Sequence, residues 1–309
     1  MQRSLVGLGL LVLLSGVGNA PAQTYPNKPV RVILPQLPGS SVDTITRIVA
    51  AKLSEALGQQ FVIDNRGGAG GMIGAAIGAR ANPDGYTLLS GAASSLIITK
   101  FTYKTLSFDA LKDFEPISLI VNAEAVLGVG NNVPVKNVKE LIALAKAQPG
   151  KLNMASSGIG SSSHLAGVMF THLAGINILH VPYKGGMSAM SVFTGETQLC
   201  LLPAGAIVGH LKAGRLRAMG ISSKTRSPLM PELPTIAEAG VPGYEYTSWN
   251  GFFAPKGVAR AVITKLYATI QKALADPDVK QQYANQALVP LGSASPEEFG
   301  KFFRTDFDR

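Results

Sequence analysis

From Val30 onwards, short apolar strands, turn-rich loops and amphipathic helices follow one another in regular order. Val30–Leu34 is a continuous apolar segment, and apolar residues at helical spacing follow it until Gly58. The same succession returns at Phe61–Ala79 and again at Lys151–Leu173. Strands that alternate with helices predict an α/β fold in which each domain has a mostly parallel sheet flanked by helices.

The first residues predict export from the cytoplasm. Arg3 precedes an apolar run from Leu5 to Val17, and the small residues Ala20-Pro21-Ala22 follow it. This order is typical of a signal peptide, here cleaved after Ala22, and the run is shorter than the roughly 20 residues that span a bilayer. We therefore expect the mature protein to be soluble in the periplasm.

Composition excludes several classes of protein. The net charge is +9, but the basic residues are scattered, so we expect no nucleic-acid partner. The single cysteine, Cys200, allows no internal disulfide and is predicted to pack in a core. The four histidines do not have the spacing of a metal site, so we expect no metal and no cofactor. A hydrophobic content of 46% is enough to fill two cores.

Two loops repeat one design, in which a strand ends, a Gly/Ser segment turns and a helix begins. They are Pro38–Asp43 and Ser156–His164. Serine and glycine are common at any helix start, so either loop alone predicts only a capped helix. Two helix N-termini in one exported two-lobe chain favour an anion site, because their backbone N–H groups and dipoles attract carboxylates.

Several other motifs allow a structural as well as a functional interpretation. Gly67–Gly71 lacks the G-x-G-x-x-G spacing and predicts a tightly packed turn. Ser163 and His164 suggest a nucleophile and a base, but no third group or G-x-S-x-G elbow accompanies them, so a secreted hydrolase is the lesser hypothesis. Tyr183–Gly185 follows a strand and is equally compatible with a surface turn and a ligand contact. Trp249 is expected in a core or hinge.

Several motifs occur in an order that resembles one known family, the solute receptors of tripartite tricarboxylate transporters, also called Bug-type periplasmic receptors. The resemblance covers nearly the whole mature chain. It is carried by Tyr25–Arg31, Pro38–Asp43, Asn82–Leu89, Asp113–Ile117, Pro149–Asn153, Ser156–Gly167, His180–Gly185, Pro234–Gly240 and Pro242–Glu245.

The resemblance implies a two-domain periplasmic-binding-protein fold of type II, which closes like a flytrap. Domain 1 would comprise residues 23–122 and 245–309, and domain 2 residues 123–244. A monomeric receptor of this kind is not an enzyme; it captures a di- or tricarboxylate, aromatic ones included, and delivers it to the membrane permease subunits. The implied ligand-binding residues are Pro38, Gly39, Ser40, Ser41, Asp43, Ser94, Ser157, Gly158, Gly160, Ser161, Ser162, His164, Tyr183, Lys184, Gly185 and Gln198.

The chain departs from the family pattern at three places, and the first two bear on the ligand. Ser40 stands where the family usually has a second glycine, which adds a hydroxyl to the first loop. Gln198 stands where the family often has an aspartate, which disfavours an amino-acid ligand. The family's last helix typically continues beyond the position of Arg309. The same site would also serve a sensor whose closed form is recognised by a signalling receptor.

Overall fold

A computed structural model describes residues 25–184 and 186–308 of the chain. The predicted signal peptide, its cleavage site after Ala22, and Gly185 lie outside the described residues. None of the helices within the described ranges is long and apolar enough to cross a membrane.

Nine strands are formed in the described part of the chain, and most follow the predicted apolar segments. They are β1 (Val30–Leu34), β2 (Phe61–Asn65), β3 (Thr87–Ala92), β4 (Phe114–Gly130), β5 (Asn153–Ser156), β6 (Leu179–Pro182), β7 (Leu199–Pro203), β8 (Leu216–Ile221) and β9 (Thr247–Pro255).

The helices of the described residues follow most strands and cover both sheet faces. They are α1 (Ser41–Leu57), α2 (Met72–Ala79), α3 (Thr99–Thr102), α4 (Val138–Ala147), α5 (Ser162–Ala174), α6 (Met187–Phe193), α7 (Ala204–Lys212), α8 (Arg260–Ala275), α9 (Pro277–Asn285) and α10 (Pro296–Asp308). The ends of α1 follow local chemistry, because Ser40 caps the start and Gly58 adopts a left-handed conformation at the end.

Two sheets share one long strand. In the first, β2, β1 and β3 are parallel, and β9 runs antiparallel between β3 and β4. In the second, β6, β5 and β7 are parallel, and β4 pairs antiparallel with both β7 and β8. The two-domain periplasmic-binding-protein fold is therefore confirmed, with antiparallel strands where the two sheets meet.

The β4 strand links two sets of apolar cores. Residues of β1–β3, β9 and the C-terminal helices bury against the first sheet, and residues of Ala125–Tyr244 bury against the second. Between these cores, Asn122, Ala123 and Glu124 of β4 are only half-buried. We propose on this basis the division between domains 1 and 2 near Asn122 and Tyr244.

Two single residues lie where the sequence placed them. Cys200 is fully buried in a domain 2 core. Trp249 is buried among Phe253, Phe299 and Phe303, and its indole N–H donates to the Asp306 carboxylate over 2.7 Å. Trp249 therefore fixes the C-terminal helix α10 on the first sheet, as an aromatic core residue does.

Candidate ligand-binding cleft

A cavity of about 630 Å³ lies between the two sheets. The loops that line it follow the C-terminal ends of β1, β2, β3, β5, β6 and β7. These are the parallel strands of the two sheets, and ligands of open α/β sheets bind beyond the C-terminal ends of such strands. The topology alone therefore makes this cavity the candidate site.

The described lining combines apolar surface with hydroxyl and backbone groups and is almost uncharged, since Lys184 is its one charged side chain. No Asp or Glu of the described residues lines the cavity. The lining residues are Pro35, Gln36, Leu37, Gly39, Ser40, Ser41, Val42, Thr44, Gly67, Gly68, Ala69, Gly70, Gly71, Ala92, Ser94, Tyr103, Ser157, Gly158, Ile159, Ser161, Ser162, Tyr183, Lys184, Gly186, Pro203, Gly205, Ala206 and Ser248.

The first loop, residues 35–40, delivers the N-terminus of α1 to the cavity. Gly39 takes a left-handed conformation with φ of +75°, which glycine adopts at no steric cost. The Ser40 hydroxyl then accepts a hydrogen bond from the Asp43 N–H over 3.2 Å. The first-turn N–H groups of Ser41 and Val42 have no partner inside the helix and lie at the cavity wall.

Asp43 holds the first loop from behind and does not line the cavity. Its carboxylate accepts the Gly39 backbone N–H over 3.0 Å, the Asn65 side-chain amide over 3.0 Å, and the Arg47 guanidinium over 3.0 Å. Burial by itself raises the pKa of Asp43, but hydrogen bonds from Arg47, Asn65 and Gly39 outweigh it and keep that pKa below its ordinary value. Asp43 is thus an ionised anchor of the loop.

The second loop, residues 157–161, delivers the N-terminus of α5 and is held mainly by its own hydrogen bonds. The Ser157 N–H donates to the Ser163 hydroxyl over 2.9 Å, and the Gly158 N–H donates to the Ser156 hydroxyl over 3.1 Å. The Ser161 hydroxyl accepts the His164 N–H over 3.2 Å as an N-cap. The N–H groups of Ser157 and Gly158 are therefore engaged within the protein, which leaves the first turn of α5 to meet a ligand.

Two histidines lie behind the second loop. His164 accepts the Gly160 N–H at its Nδ1 atom over 3.3 Å, so it is a hydrogen-bonding residue of the helix start. His180 of β6 stacks on it, with ring centroids 4.1 Å apart, and its Nε2 atom lies 2.6 Å from the Ser156 hydroxyl. Burial, and secondly the neighbouring His164, lowers the pKa of His180 to about 4, and burial lowers that of His164.

The serine–histidine geometry does not favour the hydrolase hypothesis. The Ser163 hydroxyl is engaged with Ser157 and Ser161, and the residue is 1% exposed. Ser156 and His180 do have the atoms of a nucleophile and a base, but Ser156 is fully buried. Within residues 25–184 and 186–308, no group of three or more His, Cys, Asp and Glu is placed to hold a metal ion.

A third helix, α7, also begins at the cavity and was not predicted from the sequence. Gly205 and Ala206 of its first turn line the wall, and no side chain caps it, because Pro203 precedes it. Without a Ser, Thr, Asp or Asn at the cap, the sequence contained no local signal. The available signal was the strand before it, since β7 ends at the same edge as β5.

Most of the predicted site residues come together at the cavity. Those that line it are Gly39, Ser40, Ser41, Ser94, Ser157, Gly158, Ser161, Ser162, Tyr183 and Lys184. Pro38, Asp43, Gly160 and His164 belong to the two loops or the adjoining helices but lie outside the lining. The glycine turn Gly67–Gly71, predicted only as tight packing, does pack tightly and also forms part of the wall.

Gln198 lies at the other end of the second sheet. Its side-chain oxygen accepts the Asn153 N–H over 2.8 Å where β5 begins, whereas the cavity lies beyond Ser156 where β5 ends. The order of residues places Gln198 before its strand, so the rule that ligands lie beyond the C-terminal ends of parallel strands argues against it. Gln198 therefore does not disfavour an amino-acid ligand at this cavity.

The two domains approach each other on both sides of the cavity. On one side, a Cβ atom added to Gly160 would lie 3.7 Å from the Thr102 hydroxyl of domain 1. On the other, a Cβ atom added to Gly205 would lie 2.9 Å from the Ser41 hydroxyl and 3.5 Å from Gln286. Glycine at these positions lets the backbones of the two domains come close.

Comparisons with known proteins agree with this architecture. Residues 45–308 match the family described as "Tripartite tricarboxylate transporter family receptor". Protein BugT of Bordetella pertussis is 33% identical over 313 residues, which cover 100% of this chain and 95% of BugT. The solved structure of R. palustris Rpa4515 with adipate is 33% identical with a TM-score of 0.86, covering 92% of this chain and 95% of that one. MatC from Rhodopseudomonas palustris with bound malate is 28% identical with a TM-score of 0.85, covering 92% and 98%.

Proposed function

Because the chain belongs to the tripartite tricarboxylate transporter receptors, a family of periplasmic solute-binding proteins, we propose that it captures a small dicarboxylate in its cleft. We further propose that the closed, loaded form delivers this ligand to the permease subunits of a tripartite transporter. In this proposal the chain is exported as a monomer after cleavage behind Ala22, uses no cofactor, binds no nucleic acid and catalyses no reaction.

The observation that carries the proposal is the convergence of α1, α5 and α7 on one cavity without acidic side chains. Each helix start presents backbone N–H groups and the positive end of a helix dipole, which stabilise an anion. Helix starts on both domains can hold two separate carboxylates. A cluster of Asp or Glu would oppose such a ligand, and the described lining has none.

The known ligands of two relatives support the same class. Rpa4515 was solved with adipate and MatC with malate, both dicarboxylates. The cavity of about 630 Å³ is large enough for molecules of that size. Its apolar lining atoms, from Leu37, Ile159 and Tyr103, suit the carbon chain or ring between two carboxylates.

Thermal unfolding of the mature protein, Gln23 to Arg309, tests the binding step. A ligand that binds only the folded state raises the melting temperature as its concentration increases. We expect aliphatic or aromatic dicarboxylates to raise it and their neutral diamides to leave it unchanged. Failure of every carboxylate to stabilise a protein shown to be folded would contradict the proposal.

Matched variants locate the site. A bulky substitution such as Ser161→Phe narrows the cavity and should reduce the stabilisation, whereas Ser107→Phe, on the exposed surface away from the lining, should not. Delivery is tested separately in cells that lack the gene. Loss of uptake of the identified acid supports a transport receptor, whereas intact uptake with altered gene expression would indicate a sensor instead.

A further inference from the structure

The second loop is fixed from behind by two imidazoles that the proposed function leaves without a role. His164 accepts the Gly160 N–H at Nδ1, and His180 stacks on His164 with 4.1 Å between ring centroids. His180 in turn lies 2.6 Å from the hydroxyl of Ser156, which accepts the Gly158 N–H. The backbone N–H groups of Gly158 and Gly160 are therefore both held by the stacked histidines, that of Gly160 directly and that of Gly158 through Ser156.

The two histidines differ in how they tolerate a proton. A hydroxyl both donates and accepts, so Ser156 can accept from a protonated His180 Nε2 as readily as it donates to a neutral one. The Gly160 N–H can only donate. Protonation of His164 at Nδ1 would place two donors against each other, and the hydrogen bond would be lost.

Movement of Gly160 would reach the ligand site. Its neighbours Gly158 and Ser161 line the cavity, and a Cβ atom at Gly160 would lie within 4 Å of Thr102 and Gly70 across the cleft. Gly160 also has φ of +77°, a conformation that the loop must hold against other accessible ones. The hydrogen bond to His164 is therefore well placed to define the ligand-facing form of the loop.

We propose that His164 is a positioning residue for ligand binding: its unprotonated Nδ1 atom holds Gly160 and the second loop in the binding form, so that protonation of His164 weakens binding. The inference rests on the proposed function of the cleft. Burial keeps the pKa of His164 below its ordinary value, which maintains the neutral form at neutral pH. His180 contributes by stacking on the His164 ring. Two positive charges on these neighbouring imidazoles would repel each other, so both being protonated at once is disfavoured.

Few other charges of the described chain can produce this pH dependence. The strand β5 and the helix α6 carry no titratable side chain, and β6 carries only His180. The remaining basic and titratable groups on α5, after β6 and on α3 are His172, Tyr183, Lys184 and Lys100. The charge interaction that acts on His180 comes from His164.

The expected pH dependence of ligand affinity is opposite to the one that simple electrostatics predicts. A proton added near an anion site strengthens the attraction for a carboxylate. If His164 acts by positioning, acid weakens binding instead. The sign of the pH dependence therefore separates a positioning role from a direct contact of a histidine cation with the ligand.

The experiment compares His164→Asn with the wild-type protein by calorimetric titration of adipate from pH 7.5 to pH 4.5. Asparagine places an acceptor oxygen, Oδ1, at the position of Nδ1 but does not titrate in this range. The ratio of wild-type to His164→Asn affinity cancels the titration of adipate itself. We expect this ratio to fall with acid, by no more than about tenfold per pH unit, because one proton is coupled to binding.

Two further variants complete the test. His164→Ala removes the acceptor and should bind adipate more weakly than His164→Asn at pH 7.5. His172→Asn, an exposed residue on the same helix, should follow the wild-type profile. A ratio that stays constant with pH, or equal binding by the Asn and Ala variants, would overturn the inference.

Failure of the proposed function is distinguishable from failure of the inference. If adipate binds neither the wild-type protein nor any variant at pH 7.5, adipate is not the ligand, and the other carboxylates of the thermal unfolding series decide the proposed function. The Gly160 amide then decides the inference, because its hydrogen exchange can be followed without ligand. Acid should increase exchange in the wild-type protein relative to His164→Asn, and identical exchange in both would overturn the positioning role.

Discussion

The two loops that face the cavity share a backbone plan but are held by different chemistry. In the first loop, an ionised carboxylate, Asp43, accepts the Gly39 N–H and is itself held by Arg47 and Asn65. In the second, the Gly160 N–H is accepted by the imidazole of His164, whose pKa is lowered by burial. Both loops then enter a helix through a serine cap.

The difference shows that one ligand-facing geometry can be fixed with or without a fixed charge. A carboxylate with a lowered pKa stays ionised in mild acid, whereas an imidazole acceptor is lost once it is protonated. In mild acid, Asp43 should therefore still hold the first loop, whereas His164 should no longer hold the second once it is protonated. Disturbing each loop separately tests this difference.

The largest effect is expected for Asp43→Ala. Gly39, Arg47 and Asn65 each lose an acceptor, so the free energy of unfolding should fall by about 2 kcal/mol, the scale of leaving partly buried donors unpaired. Adipate binding should weaken by about tenfold or more, because the first loop loses its fixed form. Urea denaturation and calorimetric titration measure the two effects.

Asp64→Ala is the matched control for Asp43→Ala. Asp64 also accepts from two arginines, Arg31 and Arg66, but it lies on β2 outside the cavity lining. Partly exposed ion pairs of this kind contribute about 1 kcal/mol or less, and adipate binding should be unchanged. Equal loss of binding in both variants would show that Asp43 has no particular role in the first loop.

A smaller effect is expected where the two domains meet. Gly205→Val places a side chain against Ser41 and Gln286, so the closed arrangement should become less favourable and adipate affinity should fall by about tenfold. Gly209→Val is the control, because a Cβ atom at Gly209, in the same helix α7, meets nothing within 4 Å. Both variants should have similar melting temperatures without ligand. Equal affinities would contradict the proposed closure at Gly205.

The sequence predicted those parts of the molecule whose structure is determined by residues close together in the chain. Ser40 and Ser161 were recognisable as caps because a cap involves only the next few residues. The strand β4 was not predicted, since Pro116 interrupts its first residues and its two halves belong to different sheets. A strand with two sets of partners is defined by tertiary contacts rather than by its own pattern.

The same distinction explains the candidate site. The Gly/Ser loops were found by their composition, whereas α7 contributes backbone alone and gave no side-chain signal. Asp43 and His164 were expected to bind the ligand, but both lie outside the cavity lining. There they accept the backbone N–H groups of Gly39 and Gly160, and these partners are set by the folded loop. Gln198 was misplaced by the length of one strand.

In the absence of ligand, His180 behind the second loop and Asp43 behind the first should lose their contributions to stability at different pH values. Unfolded histidine titrates near pH 6.5, and burial together with His164 lowers the folded pKa of His180 to about 4, so the unfolded state binds more protons between these values. This contribution to stability is fully present above about pH 6.5 and is lost as the pH falls towards 4. The contribution of Asp43, whose pKa is lowered, persists across this window and is lost only below about pH 3.9.

Urea denaturation of the wild-type protein and His180→Gln at several pH values measures this contribution. Glutamine can still hydrogen-bond to Ser156 but does not titrate, so the variant should lose less stability than the wild-type protein between pH 7 and pH 4.5. The difference between the two curves removes the effect of His210, a half-buried residue whose pKa is also lowered by burial. Parallel curves would show that His180 makes no acid-sensitive contribution to stability behind the second loop.

The smallest effect is expected for Ser40→Gly, which restores the residue that the resemblance leads one to expect. The Ser40 hydroxyl accepts the Asp43 N–H, and replacing a serine cap by glycine costs only a few tenths of a kcal/mol, against about 1 kcal/mol for alanine. If the hydroxyl serves mainly as a cap, adipate affinity should change by about twofold or less in Ser40→Gly. A loss of about tenfold without a matching loss of stability would instead make Ser40 a direct ligand contact, because a hydrogen bond to a charged group is worth more than the cap. That outcome would also sharpen the contrast between the loops, since the first would then bind through a side chain while the corresponding serine of the second, Ser161, remains tied to Gly158 and His164.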